Sequence, residues 1–173
     1  VSSNPVLHSF KWAVNTYNID REFIDAFLYS MEMDLDQKVH DEKSYGQYIY
    51  GSAEAVGLMC LRVFCHGDPH RFAELREPAR KLGSAFQKVN FLRDMQEDGQ
   101  VLGRAYFPGT RQGGLTEESK RAVESDIRLD MDAALDGIRA LPRGARAGVY
   151  LAFLYYRTLL RRIERTPAHR IMQ

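Results

Sequence analysis

Four polar residues near the middle of the chain have the spacing and the chemistry of a metal-binding site. Gln87, Asn90, Asp94 and Asp98 follow one another at intervals of three or four residues. At about 100° per residue, this spacing places all four on one side of an α-helix. Carboxylate and amide oxygens that converge in this way suit a hard divalent cation such as Mg²⁺, especially when phosphates complete its coordination shell. We call these four residues the acidic stripe.

The residues around the acidic stripe bear on whether it is a site or an ordinary solvated helix face. A solvated face usually mixes both signs of charge, and acidic residues at i, i+4 spacing are common there. Here Phe86 and Phe91 border the stripe, while Lys81 and Lys88 fall near the opposite side of the helix. The spacing alone leaves both interpretations open, and the aromatic border favours a site.

The longer pattern that contains the stripe resembles the second aspartate-rich signature of the squalene and phytoene synthase family. The matching positions are Leu82, Gly83, Gln87, Asn90, Phe91, Arg93, Asp94, Met95, Asp98, Arg104, Tyr106 and Pro108. So many matching positions in one short segment are far more specific than a single pair of aspartates.

A second segment, residues 48–57, resembles the other signature of this family, in which a tyrosine precedes small residues that end in Val-Gly. Glu54 departs from the pattern, because many members carry a small residue there. Glycine inside a helix costs about 1 kcal/mol relative to alanine. Gly51 and Gly57 therefore indicate either a closely packed neighbouring helix or space for a long ligand. In the second case the wall of an isoprenoid tunnel would include Val56, Met59 and Phe64.

The resemblance implies an all-α isoprenoid synthase fold and a prenyltransferase activity. Members of the family join two prenyl diphosphates head to head through a cyclopropyl diphosphate intermediate. Mg²⁺ neutralises the departing diphosphate, and an allylic carbocation is left in a dry apolar cavity. We expect phytoene synthesis from two C20 geranylgeranyl diphosphates, in carotenoid biosynthesis. The alternatives are squalene or dehydrosqualene synthesis from C15 farnesyl diphosphate, and a family member without catalysis that acts as an assembly factor.

The resemblance also implies roles for individual residues. Asn90, Asp94 and Asp98 would bind Mg²⁺, which enters with the diphosphate of the substrate. Tyr48 would be catalytic beside the reacting carbons, and Tyr106 would be catalytic on a loop that closes over the diphosphate. The substrate-binding residues would be Gln87, Arg93, Arg104, Ala53, Val56 and Gly57. For Arg93, a structural salt bridge and contact with the diphosphate are equal alternatives.

The first aspartate-rich motif of the family has no counterpart upstream of Asn90. The nearest candidate is the group Glu32, Asp34 and Asp36. Only Glu32 and Asp36 share a helix face, because Asp34 is two positions from each and projects from the opposite side. By position, residue 1 follows the missing motif, and the chain stops before the family's last basic segment. We therefore expect a domain that is incomplete at both ends, less stable than the whole, and inactive or nearly so. Its exposed apolar faces would favour a homodimer.

Composition excludes several other functions. The net charge of +1 and the isoelectric point near 7.9 give no support for a nucleic acid partner. Cys60 and Cys65 predict buried thiols in a reducing compartment rather than a disulfide. The sequence has no run of 18 uncharged apolar residues and no signal peptide. We expect a cytoplasmic protein, and the arginines at positions 157–165 are compatible with peripheral association at the inner face of an anionic membrane.

Helical periodicity extends along the chain without an alternating strand pattern. The predicted helices run from Pro5 to about Asn15, from Asp20 past Met31, from Asp41 to Cys65, from Pro69 through the stripe, from Thr116 to Pro142, and from Ala145 to Glu164. A glycine-rich loop over residues 99–114 follows the stripe, and loops of this length are often functional. The sequence thus predicts one all-α bundle over residues 1–173.

Overall fold

The computed structural model describes residues 4–36, 41–100, 107 and 115–171, without the side chains of residues 36 and 96–100. This part of the chain is helical and contains no β-strand, as predicted. Its helices are α1 (Pro5–Tyr17), α2 (Arg21–Asp36), α3 (Glu42–Ile49), α4 (Ala55–Phe64), α5 (Pro69–Gln100), α6 (Glu117–Ala140), α7 (Arg143–Glu164) and α8 (Ala168–Ile171). A π-helical turn, Tyr50–Glu54, joins α3 to α4.

Side-chain caps explain where several helices begin. The Asn4 side chain accepts a hydrogen bond from the second residue of α1 at 2.9 Å. Asp41 and Ser44 form a reciprocal capping box at the start of α3, and Thr116 and Ser119 form another at the start of α6. Each cap satisfies backbone N–H groups that have no partner within the helix. These starts therefore agree closely with the predicted ones.

Three boundaries differ from the prediction. The helix predicted from Asp41 to Cys65 is interrupted by the π-helical turn, and the last long helix begins at Arg143, directly after Pro142. The fixed φ of proline suits a helix start, so Pro142 introduces α7 rather than merely ending α6. The short helix α8 follows Pro167, where no helix was predicted.

The π-helical turn is packed closely by two neighbouring helices. A Cβ atom on Gly51 would lie 2.3 Å from the carbonyl oxygen of Ala26 and 2.7 Å from Cβ of Ser30. A Cβ atom on Gly83 of α5 would lie 2.7 Å from the carbonyl oxygen of Ala53. Helices α2 and α5 therefore pack directly against the turn from two directions. Gly51 is explained by close packing, the first of the two alternatives.

The close approach at Gly51 predicts a large effect of one methyl group. Replacing Gly51 by Ala should lower the free energy of unfolding by about 1–3 kcal/mol, because the added carbon overlaps α2. The matched control is Gly46→Ala, at an exposed helical glycine with nothing within 4 Å of an added Cβ. That change should stabilise the chain by about 0.5–1 kcal/mol. Urea unfolding followed by circular dichroism measures both, and equal effects would contradict the packing argument.

Helix α5 is central to the bundle, where it packs against α3, α4, the π-helical turn, α6, α7 and α8. On the side facing α6, its polar side chains converge on Asp130, which is only 2% exposed. This carboxylate accepts hydrogen bonds from Lys81 at 2.9 Å, Ser84 at 2.9 Å and Lys88 at 2.6 Å. The two lysines thus lie away from the acidic stripe, as predicted, but they are bound in an interhelical ion-pair cluster.

Opposing effects set the pKa of Asp130. Burial raises the pKa of its carboxyl group, but the hydrogen bonds from Lys88, Lys81 and Ser84 lower it by more, so it lies below the ordinary value of 3.8. A depressed pKa in the folded state means that this carboxylate stabilises the fold above pH 3.8. That contribution is lost as the pH falls through the pKa of the folded state.

Replacing Asp130 by Asn should therefore lower the free energy of unfolding by about 3 kcal/mol at neutral pH, because a buried lysine loses a charged partner. The difference between the two proteins should narrow below pH 3.8, where the native carboxylate also becomes protonated. Denaturant unfolding at several pH values measures this difference in the free energy of unfolding. The exposed Asp132 lies on the same helix, and Asp132→Asn should change stability by less than about 0.5 kcal/mol. A difference that persists unchanged into strong acid would contradict this assignment.

Two hydrophobic clusters fill the bundle. The first lies mainly between α5, α6 and α7 and includes Val89, Leu92, Ile127 and Phe153. The second lies where α2, α4 and α5 meet, and its buried members are Phe23, Ala55, Leu58, Leu61, Cys65, Phe72, Leu75 and Leu141. We call this group the second cluster.

Helix α1 contributes least to this packing. None of its residues is buried, and its large apolar side chains Val6, Leu7, Phe10 and Trp12 are exposed. Helix α2 likewise exposes Leu28 and Leu35. These surfaces agree with the expectation of exposed apolar faces, and the homodimer stays a prediction. None of the helices in the described ranges is long and apolar enough to cross a bilayer.

Candidate active site

An apolar cavity of about 570 Å³ lies between α4, α5, α6 and α7. Helices α4 and α5 pack against each other across a short turn, so they run in opposite directions. The wall includes residues from Ser52 to Phe64 on one side and from Leu75 to Gln87 on the other. At 1.5 Å per residue, each series extends about 18 Å along its helix. The cavity is therefore elongated along α4 and α5.

Most of the predicted tunnel residues line this cavity. Ala53, Val56, Gly57 and Phe64 all belong to its wall. The prediction for Met59 is wrong, because its side chain packs against the second cluster instead of lining the cavity. At about 100° per residue, Met59 is turned about 60° from Val56 to one side of α4, whereas Cys60 and Phe64 are turned to the other side.

Gly57 agrees with both explanations given for the glycines of residues 48–57, close helix packing and space for a ligand. A Cβ atom at this position would lie 3.2 Å from the carbonyl oxygen of Ala79 on α5, which is a tight contact. Gly57 also lines the cavity, where a larger side chain would occupy the space between α4 and α5. The absence of a side chain at Gly57 therefore allows both the close helix packing and the free volume of the cavity.

Gln87 gives the cavity a polar end. One turn further along α5, Nδ2 of Asn90 lies 3.4 Å from Oε1 of Gln87. The hydroxyl of Tyr156 on α7 donates a hydrogen bond to Oδ1 of Asn90 at 3.2 Å. The Tyr156 ring stacks on Phe86, with centroids 3.9 Å apart. Tyr156 therefore joins α7 to α5 at the acidic stripe and orients the Asn90 amide.

Arg93 holds Asp94 in a two-point ion pair. Its Nε lies 2.7 Å from Oδ1 of Asp94, and its Nη2 lies 2.6 Å from Oδ2. The hydrogen bond with Asp94 raises the pKa of Arg93. The two side chains are 44% and 38% exposed, so water screens this pair. Of the two alternatives for Arg93, the structure shows the salt bridge.

The side-chain oxygens of Asn90 and Asp94 are of the chemical type that binds a hard cation. Asn90 and Asp94 lie one turn apart, about 6 Å along the helix axis, and amide and carboxylate oxygens are the ligands that Mg²⁺ prefers. No group of three or more histidine, cysteine or acidic side chains forms a metal site among the described residues. Asp98 lies on α5, but its side chain is outside that description, as are Arg104 and Tyr106.

Tyr48 lies behind the cavity wall and is 5% exposed. Its hydroxyl donates a hydrogen bond to Oδ2 of Asp34 at 3.1 Å, and its ring centroid lies 5.8 Å from that of Phe91. Its carbonyl oxygen accepts a 2.6 Å hydrogen bond from Ser52, which lines the cavity. Among the upstream acids whose side chains the structure describes, Asp34 therefore reaches the predicted site. The period of the helix gave no reason to prefer it.

Phe107 was also missed by the sequence analysis. It is buried, and its ring centroid lies 6.0 Å from Phe91 and 5.8 Å from Tyr45. Burial, with smaller effects of the Asp126 and Asp130 carboxylates, raises the pKa of Tyr45 and keeps its phenol neutral. The sequence signal for Phe107 is its place beside Tyr106 in a glycine-rich segment, where aromatic residues are rare.

The two cysteines are free, as predicted, but their environments differ. Cys65 is buried at the end of α4, whereas Cys60 is exposed. The prediction of two buried thiols is therefore wrong for Cys60. Cys60 lines the cavity one turn before Phe64. The apolar face of α4 that carries it borders the cavity rather than the core, which is why the prediction fails there.

Comparison with known proteins identifies the family. The family model for squalene/phytoene synthase matches residues 1–173, and the chain belongs to this family of prenyltransferases. It is 34% identical over 147 residues to the presqualene diphosphate synthase of Rhodopseudomonas palustris, covering 83% of this chain and 51% of that protein. It is 30% identical over 118 residues to the bifunctional lycopene cyclase/phytoene synthase of Blakeslea trispora, covering 68% of this chain and 19% of that protein.

A solved structure shows the same fold. The crystal structure of squalene synthase HpnC from Alicyclobacillus acidocaldarius superposes with a TM-score of 0.80 at 19% sequence identity, covering 96% of this chain and 68% of that chain. The predictions of the family and of the all-α isoprenoid synthase fold are confirmed. The chain spans about half the length of the Rhodopseudomonas relative.

The hydrogen bond from Tyr156 leads to a prediction about the expected metal ligand Asn90. Tyr156→Phe keeps the ring stack but frees the Asn90 amide, so the affinity for Mn²⁺ with inorganic pyrophosphate should fall about tenfold. Electron paramagnetic resonance of bound Mn²⁺ measures this affinity without requiring turnover. The neighbouring Tyr155 is exposed, and Tyr155→Phe should leave the affinity unchanged. Equal affinities in all three proteins would show that Tyr156 has only a packing role.

Proposed function

We propose that the chain carries the diphosphate site and the prenyl cavity of a Mg²⁺-dependent enzyme that joins two C15 farnesyl diphosphates head to head into presqualene diphosphate. The observation that carries this proposal is an elongated apolar cavity that ends in polar side chains at Gln87 and, one turn beyond, Asn90. An amphiphilic substrate with an apolar chain and an anionic head requires that combination.

The acidic stripe would hold the charged end of the substrate. Asn90, Asp94 and Asp98 would bind Mg²⁺, and the metal would neutralise the diphosphate and ease its departure. Arg93 forms an ion pair with Asp94. When the diphosphate enters, we expect Arg93 to exchange this partner for a phosphate oxygen, which frees the Asp94 carboxylate. Arg104 would add a second positive charge.

The apolar wall would protect the cation that forms when the diphosphate leaves. Val56, Leu82 and Phe86 line the cavity beside its polar end, and they offer no nucleophile to a carbocation. Exclusion of water there prevents hydrolysis of the reactive intermediate. Tyr48 lies one turn from the wall with its hydroxyl fixed by Asp34. We expect it to orient a proton near the reacting carbons, a role that Tyr106 would share.

The second candidate is phytoene synthesis from two C20 donors, which the sequence analysis preferred. The relative from Blakeslea trispora, whose name includes phytoene synthase, supports it. The presqualene diphosphate synthase from Rhodopseudomonas palustris aligns at higher identity and over more of this chain, which favours the C15 reaction. An assembly factor without catalysis would have no use for oxygen donors at the end of an apolar cavity.

Binding of a slowly reacting substrate analogue tests the proposal without depending on turnover. Farnesyl thiolodiphosphate should bind saturably by calorimetry, and the binding should require Mg²⁺. Asp94→Ala should weaken it at least tenfold through loss of a metal ligand. Asp132→Ala, at an exposed acid on α6, should have no effect. Affinity equal to that of inorganic pyrophosphate would show that the cavity does not hold the prenyl chain.

A further inference from the structure

The end of the cavity opposite Gln87 is formed where three helices terminate. Phe64 is the last residue of α4, Leu75 lies in the first turns of α5, and Leu141 follows the end of α6. All three line the cavity. Because α4 and α5 run in opposite directions, Phe64 and Leu75 lie at the same end, about 18 Å along the helices from Ser52 and Gln87. We call this end the cavity floor.

Two kinds of residue make up the cavity floor. Leu75 and Leu141 are buried members of the second cluster and belong to the core of the bundle. Phe64 is only partly buried, and it packs against that cluster from the side of the cavity. A smaller residue at Leu75 or Leu141 would create a void in the core. A smaller residue at Phe64 would mainly deepen the cavity.

We propose that Phe64 limits the length of the prenyl chain that the site accepts. The inference rests on the proposed function, because it assumes that the diphosphate is held near Gln87 and that the prenyl chain extends from there. The head of the substrate is then fixed at one end, and the Phe64 ring meets the far end of the chain. A C15 chain stops before this ring, whereas a C20 chain, one isoprene unit longer, collides with it.

Met59 provides a matched control for Phe64. Both side chains lie on α4, both are partly buried, and both pack against the second cluster. Only Phe64 lines the cavity. Truncation at either position removes apolar contacts with the same cluster, so a general loosening of the core would follow from both. A change in preferred chain length should follow from truncation of Phe64 alone.

The test compares calorimetric dissociation constants for farnesyl and geranylgeranyl thiolodiphosphate, in the presence of Mg²⁺, for the unchanged chain, Phe64→Ala and Met59→Ala. The ratio of the C20 to the C15 dissociation constant should fall at least tenfold in Phe64→Ala, since mismatches of a single methylene already change recognition by that factor. Met59→Ala should leave the ratio unchanged. Phe64→Leu, which keeps most of the apolar volume, should give an intermediate shift and carries the test if Phe64→Ala does not fold.

The outcomes separate this inference from the proposed function. Binding of both analogues with the same ratio in every variant, or an equal shift in Met59→Ala and Phe64→Ala, would overturn the role of Phe64 alone. Failure of the unchanged chain to bind either analogue would overturn the proposed function and this inference together. A shift in the ratio of dissociation constants that is confined to the two Phe64 variants would support the role of Phe64.

Discussion

The ion-pair cluster around Asp130 is the interaction on which the rest of the structure depends. Helix α5 must be held from the side facing α6, because its other surfaces carry the acidic stripe and one wall of the cavity. Lys81, Ser84 and Lys88 bind one buried carboxylate and so determine which way α5 faces. Rotation of α5 by one residue would turn Gln87 away from the cavity by about 100°. The charge cluster thus positions the site even though it does not touch it.

Small residues determine how closely the other elements approach α5. Gly83 allows the π-helical turn to pack on α5, Gly57 allows α4 to do the same, and Gly137 leaves room for the ring of Pro78 beside α6. At Gly57 and Gly137 these contacts are also part of the cavity wall. At these two positions the same small residues therefore bring the helices close together and leave free volume in the cavity wall.

Periodicity predicted the helices and the acidic stripe because both depend on local spacing. The 3.6-residue period places Gln87 and Asn90 together and sends Lys88 to the other side, and the structure agrees. What periodicity missed depends on contacts between distant parts of the chain. Tyr156 binds Asn90 across 66 positions, and on α7 it was simply one more aromatic residue. The π-helical turn packs against α2 and α5, and the spacing within residues 50–54 does not reveal those contacts.

Under the proposed function, the rigidity of α5 would fix the length of the prenyl chain that the cavity accepts. Gln87 at the polar end and Leu75 at the floor both belong to α5, so their separation along the axis is fixed by helix geometry at about 18 Å. The π-helical turn and α4 together span a similar distance from Ser52 to Phe64 in the opposite direction. Loops could not hold such a distance, because their dihedral angles vary more freely. A site that must distinguish chains by length therefore needs its anionic end and its apolar end on the same pair of helices, which is the arrangement that α4 and α5 provide.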